Sequence, residues 1–233
     1  MPNAVTPQYD VYNEKEVSEL VSLAPSYITS DEIVAIDCEF VATEHPTREE
    51  ELASVCIVDH LGRILLHTRV KPTWPVVDYR TEFTGFRGSE DLVNAPSFAQ
   101  VQLHVAEILH RKDLVVGHTL YKDFCNLEIE ISKTKVRDIS HWITGKTGNK
   151  MALKRMAQEH LLKCIQRGTH DPFVDALIAL QLYYKKYWSR IYNGYTPPTC
   201  DVCGSEKHIS FHCPNATESH RNATESHRYK RKR

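Results

Sequence analysis

Asp37 and Glu39 are the two residues whose type and spacing carry the most specific chemistry. They stand two apart in IVAIDCEFVA, residues 33–42, a run that is otherwise apolar and β-branched and so predicts a strand buried on both faces. On a strand, positions i and i+2 project from one face with Cα atoms roughly 6 to 7 Å apart. Two carboxylates buried side by side are costly unless a cation neutralises them, and the flanking residues offer no Lys or Arg. Hard divalent ions such as Mg²⁺ or Mn²⁺ take carboxylate oxygens, so the pair predicts a metal cradle. Two further acids stand where a helix could deliver them to the same point: Asp123 in GHTLYKDFCNL, and Asp175 in the first turn of a helix opened by Asp171 and Pro172. His170, in the loop just before that helix, is the candidate general base for a water molecule.

A second constellation lies near the C-terminus. Cys200-x2-Cys203-x4-His208-x4-Cys213 has the spacing of a CCHC zinc knuckle, and three thiolates with one imidazole make the closed tetrahedral set of a structural Zn²⁺. Gly204 suits the tight turn after the second Cys, and His212 is a competing ligand at a longer spacing. In so short a segment the metal supplies the folding energy. Such knuckles commonly bind single-stranded RNA or DNA through exposed apolar residues, for which Val202, Ile209 and Phe211 are the candidates; protein is the other possible ligand. The other four cysteines, Cys38, Cys56, Cys125 and Cys164, are scattered and read as reduced thiols.

The elements that must position these groups follow from hydrophobic pattern and turn chemistry. After an amphipathic stretch at 14–23 and the acidic strand come strands at 53–59 and 63–70, separated by the turn His60-Leu61-Gly62, which suggests an antiparallel meander. Residues 71–97, rich in Pro, Gly and Thr, read as a long connection. Ser97 caps FAQVQLHVAEILH, whose apolar residues follow helical spacing. A short strand at 114–117, a helix at 121–129, a strand at 135–138, a helix at 151–162 and the long Pro172 helix complete the pattern. Strands first, then helices alternating with short strands, indicate an α/β fold: a mixed sheet with helices on its faces.

The 233 residues carry 29 Lys and Arg against 30 Asp and Glu, with 41% hydrophobic residues, which is ordinary for one folded domain with a small appendage. No apolar run reaches the roughly 18 residues a membrane span needs, and residues 1–31 show neither a signal nor a transit peptide, so the expectation is an intracellular protein. Charge balance hides an asymmetry, because residues 194–233 carry seven Lys and Arg against four acids and are +3, the remainder −4. The expected organisation is an N-terminal extension at 1–31, a domain at 32–192, a Pro-containing linker at 193–199, the knuckle at 200–213, and a tail at 214–233. That tail holds the tandem NATESHR and ends in YKRKR, a composition too polar to build a core. Its KRKR suits nonspecific phosphate contacts or a nuclear import signal, which sets the expected location as the nucleus, nucleolus included, with the cytoplasm as the alternative.

DCEF at 37–40, GHTLYKDF at 117–124 and the His-x4-Asp of 170–175 resemble the three motifs of the DEDDh 3′-to-5′ exonucleases. LASVCIVD, VKPTWPVVDYRTEFTGFR and DLVVGH are similar to the eukaryotic RNA exonuclease branch that holds the interferon-stimulated and ribosome-biogenesis enzymes; the likeness spans about residues 32–190. The resemblance implies an RNase H-like three-layer fold. It also implies that Asp37, Glu39 and Asp175 bind one Mg²⁺ or Mn²⁺, with Asp37 bridging to a second held by Asp123, and that His170 deprotonates the attacking water. Two such ions, about 4 Å apart, clamp a scissile phosphate and stabilise the entering and leaving oxygens. Nucleoside 5′-monophosphates would be the products. Two departures from the family pattern bear on substrate preference. Phe40 stands where relatives have a Met that wedges the terminal base, and an aromatic ring can stack there instead. The family's Gly-rich stretch after the motif is replaced by ATEHPTREEE.

The expected function is therefore a metal-dependent 3′-to-5′ exoribonuclease acting on single-stranded RNA. A 3′-to-5′ DNA exonuclease and a catalytically idle nucleic-acid-binding adaptor are the alternatives, and the intact set of four acids and one His speaks against the adaptor.

Overall fold

The computed structural model describes residues 33–141 and 150–192. The chain divides into two units, Met1–Tyr184 and Lys185–Arg233; in the second, only residues 185–192 at the end of the last helix are described. The predicted extension at 1–31, the stretch at 14–23, the linker, the knuckle residues Cys200, Cys203, His208 and Cys213, the candidates Val202, Ile209 and Phe211, and the tail lie outside the described residues.

The first unit is built on a six-stranded mixed sheet whose centre is the acidic strand, β1 (Ile33–Thr43). The predicted meander is present as β2 (Glu50–Asp59), antiparallel to β1, and β3 (Ile64–Arg69), antiparallel to β2. Asp59 closes their turn: its Oδ1 accepts from the Leu61 and Arg63 backbone N–H groups at 2.9 Å each, and its Oδ2 takes the Arg63 guanidinium at 2.7 Å. Gly62, at φ +76°, sits so close to Leu177 that a Cβ there would lie 2.7 Å from its Cδ1.

β1's other edge is shared by two strands. β5 (Leu114–Gly117) runs parallel to residues 33–35, with β6 (Val136–Asp138) parallel beyond it, while β4 (Val76–Asp78) pairs antiparallel with Ala42 and Thr43. Between those pairings, residues 36–41 have no described strand partner on that edge. The gap holds Asp37, Glu39 and Phe40, and a β-bulge between Glu39 and Phe40 against β2 bends the strand there.

Alternate residues of β1 serve its two faces. Val34, Ile36, Cys38 and Phe40 join the main core with Val101, Val105 and Leu109 of α2 (Phe98–Arg111) and Leu120 and Leu127 of α3 (Leu120–Leu127). Val41 joins a smaller cluster with Ala53, Phe86 and Leu92. At the predicted start of α2, Gln100 reaches back to the Ser97 backbone N–H at 3.0 Å and accepts its hydroxyl at 2.9 Å. The last helix, α5 (Pro172–Tyr192), starts where the sequence places it: Asp171 Oδ1 accepts from the Phe173 N–H at 2.9 Å.

Two expectations are corrected. The connection at 71–97 holds β4, a single helical turn, α1 (Thr81–Thr84), and a 3-10 turn at Ser89–Asp91. β4 is invisible in the sequence because it is three residues long and held only by the end of β1. The helix predicted over 151–162 is one α-turn, α4 (Leu153–Met156), continued by a π-helical turn at Ala157–Leu161 that stops at Leu162 in the left-handed region, φ 58°. No helix among the described residues is long and apolar enough to cross a membrane.

Candidate active site

The gap in β1's edge is the floor of a pocket of about 480 Å³ whose lining includes Asp37, Glu39, Asp123, His170 and Asp175. The five predicted residues thus arrive from three elements, β1, α3 and α5, and from the loop before α5. β1 supplies the first pair. Asp123 comes from α3, whose start is fixed by Gly117: a Cβ at that position would lie 2.3 Å from Leu120 Cδ2 and 2.8 Å from the Ile36 carbonyl oxygen, so only glycine lets α3 turn this tightly off β5 and over β1. Thr119, at φ 65°, completes the turn and donates its N–H to Asp138 Oδ1 at 2.9 Å. Asp175 sits one turn into α5, its N–H on the Asp171 carbonyl at 2.9 Å. His170 is held by its backbone N–H on the Phe83 carbonyl at 2.6 Å and by a T-shaped contact with the Phe83 ring, centroids 5.5 Å apart.

Ligand atoms of Glu39, His170 and Asp175 lie within 4.8 Å of one another. His170 Nδ1 is 3.9 Å from Glu39 Oε1 and 3.8 Å from Asp175 Oδ2. Asp37 and Asp123 line the same pocket without joining that tight trio. Glu39, Asp123 and Asp175 are buried; Asp37 is partly exposed. Burial, reinforced by the charges of Asp175, Asp123 and Glu39, pushes Asp37 well above the usual carboxylate range. Burial and the charges of Asp175 and Asp123 push Glu39 up to about 8. Burial raises Asp123 to about 7 against an opposing hydrogen bond from the Cys38 thiol, and Asp175 to about 7 against one from Gln166. His170 is held below its ordinary value by burial and then by the charge of Lys154.

These acids fit a divalent cation. Among the described residues no Lys or Arg forms an ion pair with any of the four, and Asp175 Oδ1 is buried with no hydrogen-bond partner while Gln166 Nε2 occupies Oδ2 at 2.7 Å. An all-oxygen, multiply anionic donor set with a bare oxygen matches Mg²⁺ or Mn²⁺.

The shifts fix a pH dependence of stability without metal. Folded Glu39, Asp123 and Asp175 keep their protons up to about pH 7 to 8, whereas the unfolded chain releases them near pH 4. The folded state therefore binds more protons across that window, so their contribution is full below about pH 4 and is lost as pH rises through 7 to 8. In EDTA the melting temperature is expected to fall by on the order of 10 °C from pH 5.5 to 8.5. Saturating Mn²⁺ should remove most of that fall. A flat or rising profile in EDTA would contradict this account of the carboxylates.

The structure also brings in residues that the sequence does not flag. Gln166, at φ 53°, orients Asp175. Lys122, next to Asp123, holds its ammonium 5.1 Å from the ring centroid of Phe40, a residue only 7% exposed. Arg80, inside the segment VVDYRTEF, also lines the pocket.

The Exonuclease family profile, RNase_T, matches residues 34–183. This chain belongs to that family. RNA exonuclease 4 of Cryptococcus neoformans is 36% identical over 173 residues, covering 72% of this chain and 42% of that protein. RNA exonuclease 4 of Saccharomyces cerevisiae is 34% identical over 157 residues, 66% of this chain and 54% of its own length. The chain thus spans about half the length of these two relatives. Among solved structures, the Neurospora crassa Pan2 catalytic unit (protease and nuclease domain) superposes with a TM-score of 0.62 at 25% identity, over 71% of this chain and 28% of that one. The Saccharomyces cerevisiae Pan2 pseudoubiquitin hydrolase-RNA exonuclease module in complex with A7 RNA also gives 0.62, at 27% identity, over 70% and 29%. The mixed sheet with flanking helices is that of the Pan2 exonuclease domain, which makes this exonuclease-family chain RNase H-like.

Proposed function

We propose that the chain is a metal-dependent 3′-to-5′ exoribonuclease that releases nucleoside 5′-monophosphates from single-stranded RNA. The observation that carries this reading is the convergence of four carboxylates and one imidazole, from β1, α3, α5 and the loop before α5, on one pocket in which, among the described residues, no Lys or Arg forms an ion pair with any of the four acids. Family membership and the RNA exonuclease names of the relatives support it.

Glu39 and Asp175, with Asp37, would hold one Mg²⁺ or Mn²⁺, and Asp37 with Asp123 a second. When bound, such a pair lowers the pKa of a coordinated water and neutralises charge on a scissile phosphate. Gln166 keeps one Asp175 oxygen occupied, which leaves the bare Oδ1 for a cation. His170, 30% exposed, sits at the border between the acids and solvent, where its ring takes the proton of the attacking water and passes it outward. Phe83 holds the His170 backbone through its carbonyl and packs its ring perpendicular to the imidazole.

The proposal extends to the segments beyond the described residues. Cys200, Cys203, His208 and Cys213 would bind Zn²⁺ as a knuckle, Val202, Ile209 and Phe211 would stack on single-stranded bases, and the basic tail at 214–233 would add phosphate affinity and direct the protein to the nucleus. The linker at 193–199 would separate these from an exonuclease domain at 32–192.

The test is a 5′-labelled single strand of RNA, and its DNA counterpart, incubated with Mg²⁺, Mn²⁺ or EDTA. The expected result is an RNA ladder shortened one nucleotide at a time from the 3′ end, with 5′-monophosphates as products and no reaction in EDTA. Internal cuts at first appearance of product would overturn the reading, and faster loss of DNA would reassign the substrate.

A further inference from the structure

Glu50, the first residue of β2, lies in the stretch ATEHPTREEE, where three consecutive acids look like a solvated charge run. It is not solvated. Its side chain is only 15% exposed and carries three partners: Oε1 accepts from Lys122 Nζ at 2.9 Å and from Asn126 Nδ2 at 3.3 Å, and Oε2 takes Arg80 Nη1 at 2.5 Å. These contacts tie together β2, α3 and the turn that opens α1, whose Phe83 braces His170. Both cations line the carboxylate pocket, whereas Glu50 itself stands outside it.

The arrangement solves a problem set by the pocket. Lys122 is adjacent in sequence to Asp123, and its charge already acts on both Glu39 and Asp123. An untethered ammonium on a four-carbon stem would swing into those carboxylates. Glu50 gives it a largely buried anionic partner outside that pocket, and Phe40 gives it a ring to rest on. The amine thus stays at the mouth, where a polyanion meets the first positive charge ahead of four acids.

We propose that Glu50 is a positioning residue that presents Lys122, braced beside Arg80, as a fixed cation for a backbone phosphate of the single strand entering the pocket. The identity of that strand as RNA rests on the function proposed above.

The sign of one substitution separates positioning from plain charge. Removing a negative charge near the pocket should tighten polyanion binding if only the field matters. If Glu50 acts by holding Lys122, Glu50→Gln should weaken it. The measurement is fluorescence anisotropy of a 5′-fluorescein RNA hexamer, in Ca²⁺, over a salt series, with Glu50→Gln, Lys122→Met and the double variant of the full chain. Glu50→Gln and Lys122→Met are each expected to raise Kd by roughly five- to tenfold, with the salt slope of Lys122→Met reduced by about 0.7, one single-strand phosphate contact. The double variant should be no weaker than the Lys122 variant alone, because the first residue works through the second. Melting temperatures of all three report any general loss of structure separately from Kd. Tighter or unchanged binding by Glu50→Gln, or additive losses in the double variant, would overturn the proposal. Mg²⁺-dependent cleavage measured on wild type and the variants keeps the two readings distinct: the expected binding losses in the variants, together with a wild-type protein that cleaves nothing, would sink the exonuclease activity and leave the phosphate site standing.

Discussion

Asp37→Ala is expected to abolish turnover, with kcat lowered by on the order of 10³-fold or more, while the Kd for single-stranded RNA changes little. Asp37 is the acid placed between the others: the charges of Asp175, Asp123 and Glu39 all act on it, and it keeps partial access to the pocket from the centre of the sheet. Its loss would remove the carboxylate that the two proposed cation positions share. Strand binding depends on groups at the mouth, which the substitution does not touch. Relieving three like-charged neighbours should also stabilise the metal-free protein at pH 8, so a dead variant that melts higher in EDTA than wild type would separate lost chemistry from lost folding. Unchanged turnover would contradict the assignment of this residue.

His170→Ala should cost about 10²- to 10⁴-fold in kcat, the usual worth of a positioned general base. The side chain lies 3.8 to 3.9 Å from two carboxylates, too far for direct hydrogen bonds, and is anchored by its own backbone and by Phe83. Because four carboxylates remain, cation affinity by calorimetry should move by less than about threefold. Activity and cation binding lost together would make His170 a ligand.

Much of the site is legible in the sequence because its chemistry is local. Asp37 and Glu39 stand out since a β-branched apolar run fixes a buried strand, and acids in such a run need a reason. Asp171 and Pro172 announce α5 and with it the position of Asp175. The residues that stay hidden act across the fold. Gln166 reaches Asp175 over nine residues through a left-handed backbone that nothing in its neighbourhood foretells. Glu50 reads as part of an acidic run until α3 and the Arg80 turn close on it. Strand β4 escapes notice for the same reason, since its two pairs with Ala42 and Thr43 are made by tertiary approach and not by its own propensity. Phe40 is legible in position but not in surroundings: the residue expected to stack on a base is almost wholly buried and its ring carries the Lys122 ammonium.

The central claim is that these acids form a cation site, and the most direct test is anomalous diffraction from crystals of the full chain grown with Mn²⁺ near neutral pH. The account predicts an anomalous peak within coordination distance of Glu39 and Asp175, including the bare Asp175 Oδ1, and contacted by Asp37, with His170 nitrogen outside the coordination sphere. No peak in that pocket at saturating Mn²⁺, or a peak bound through His170 and lacking Asp37, would contradict it.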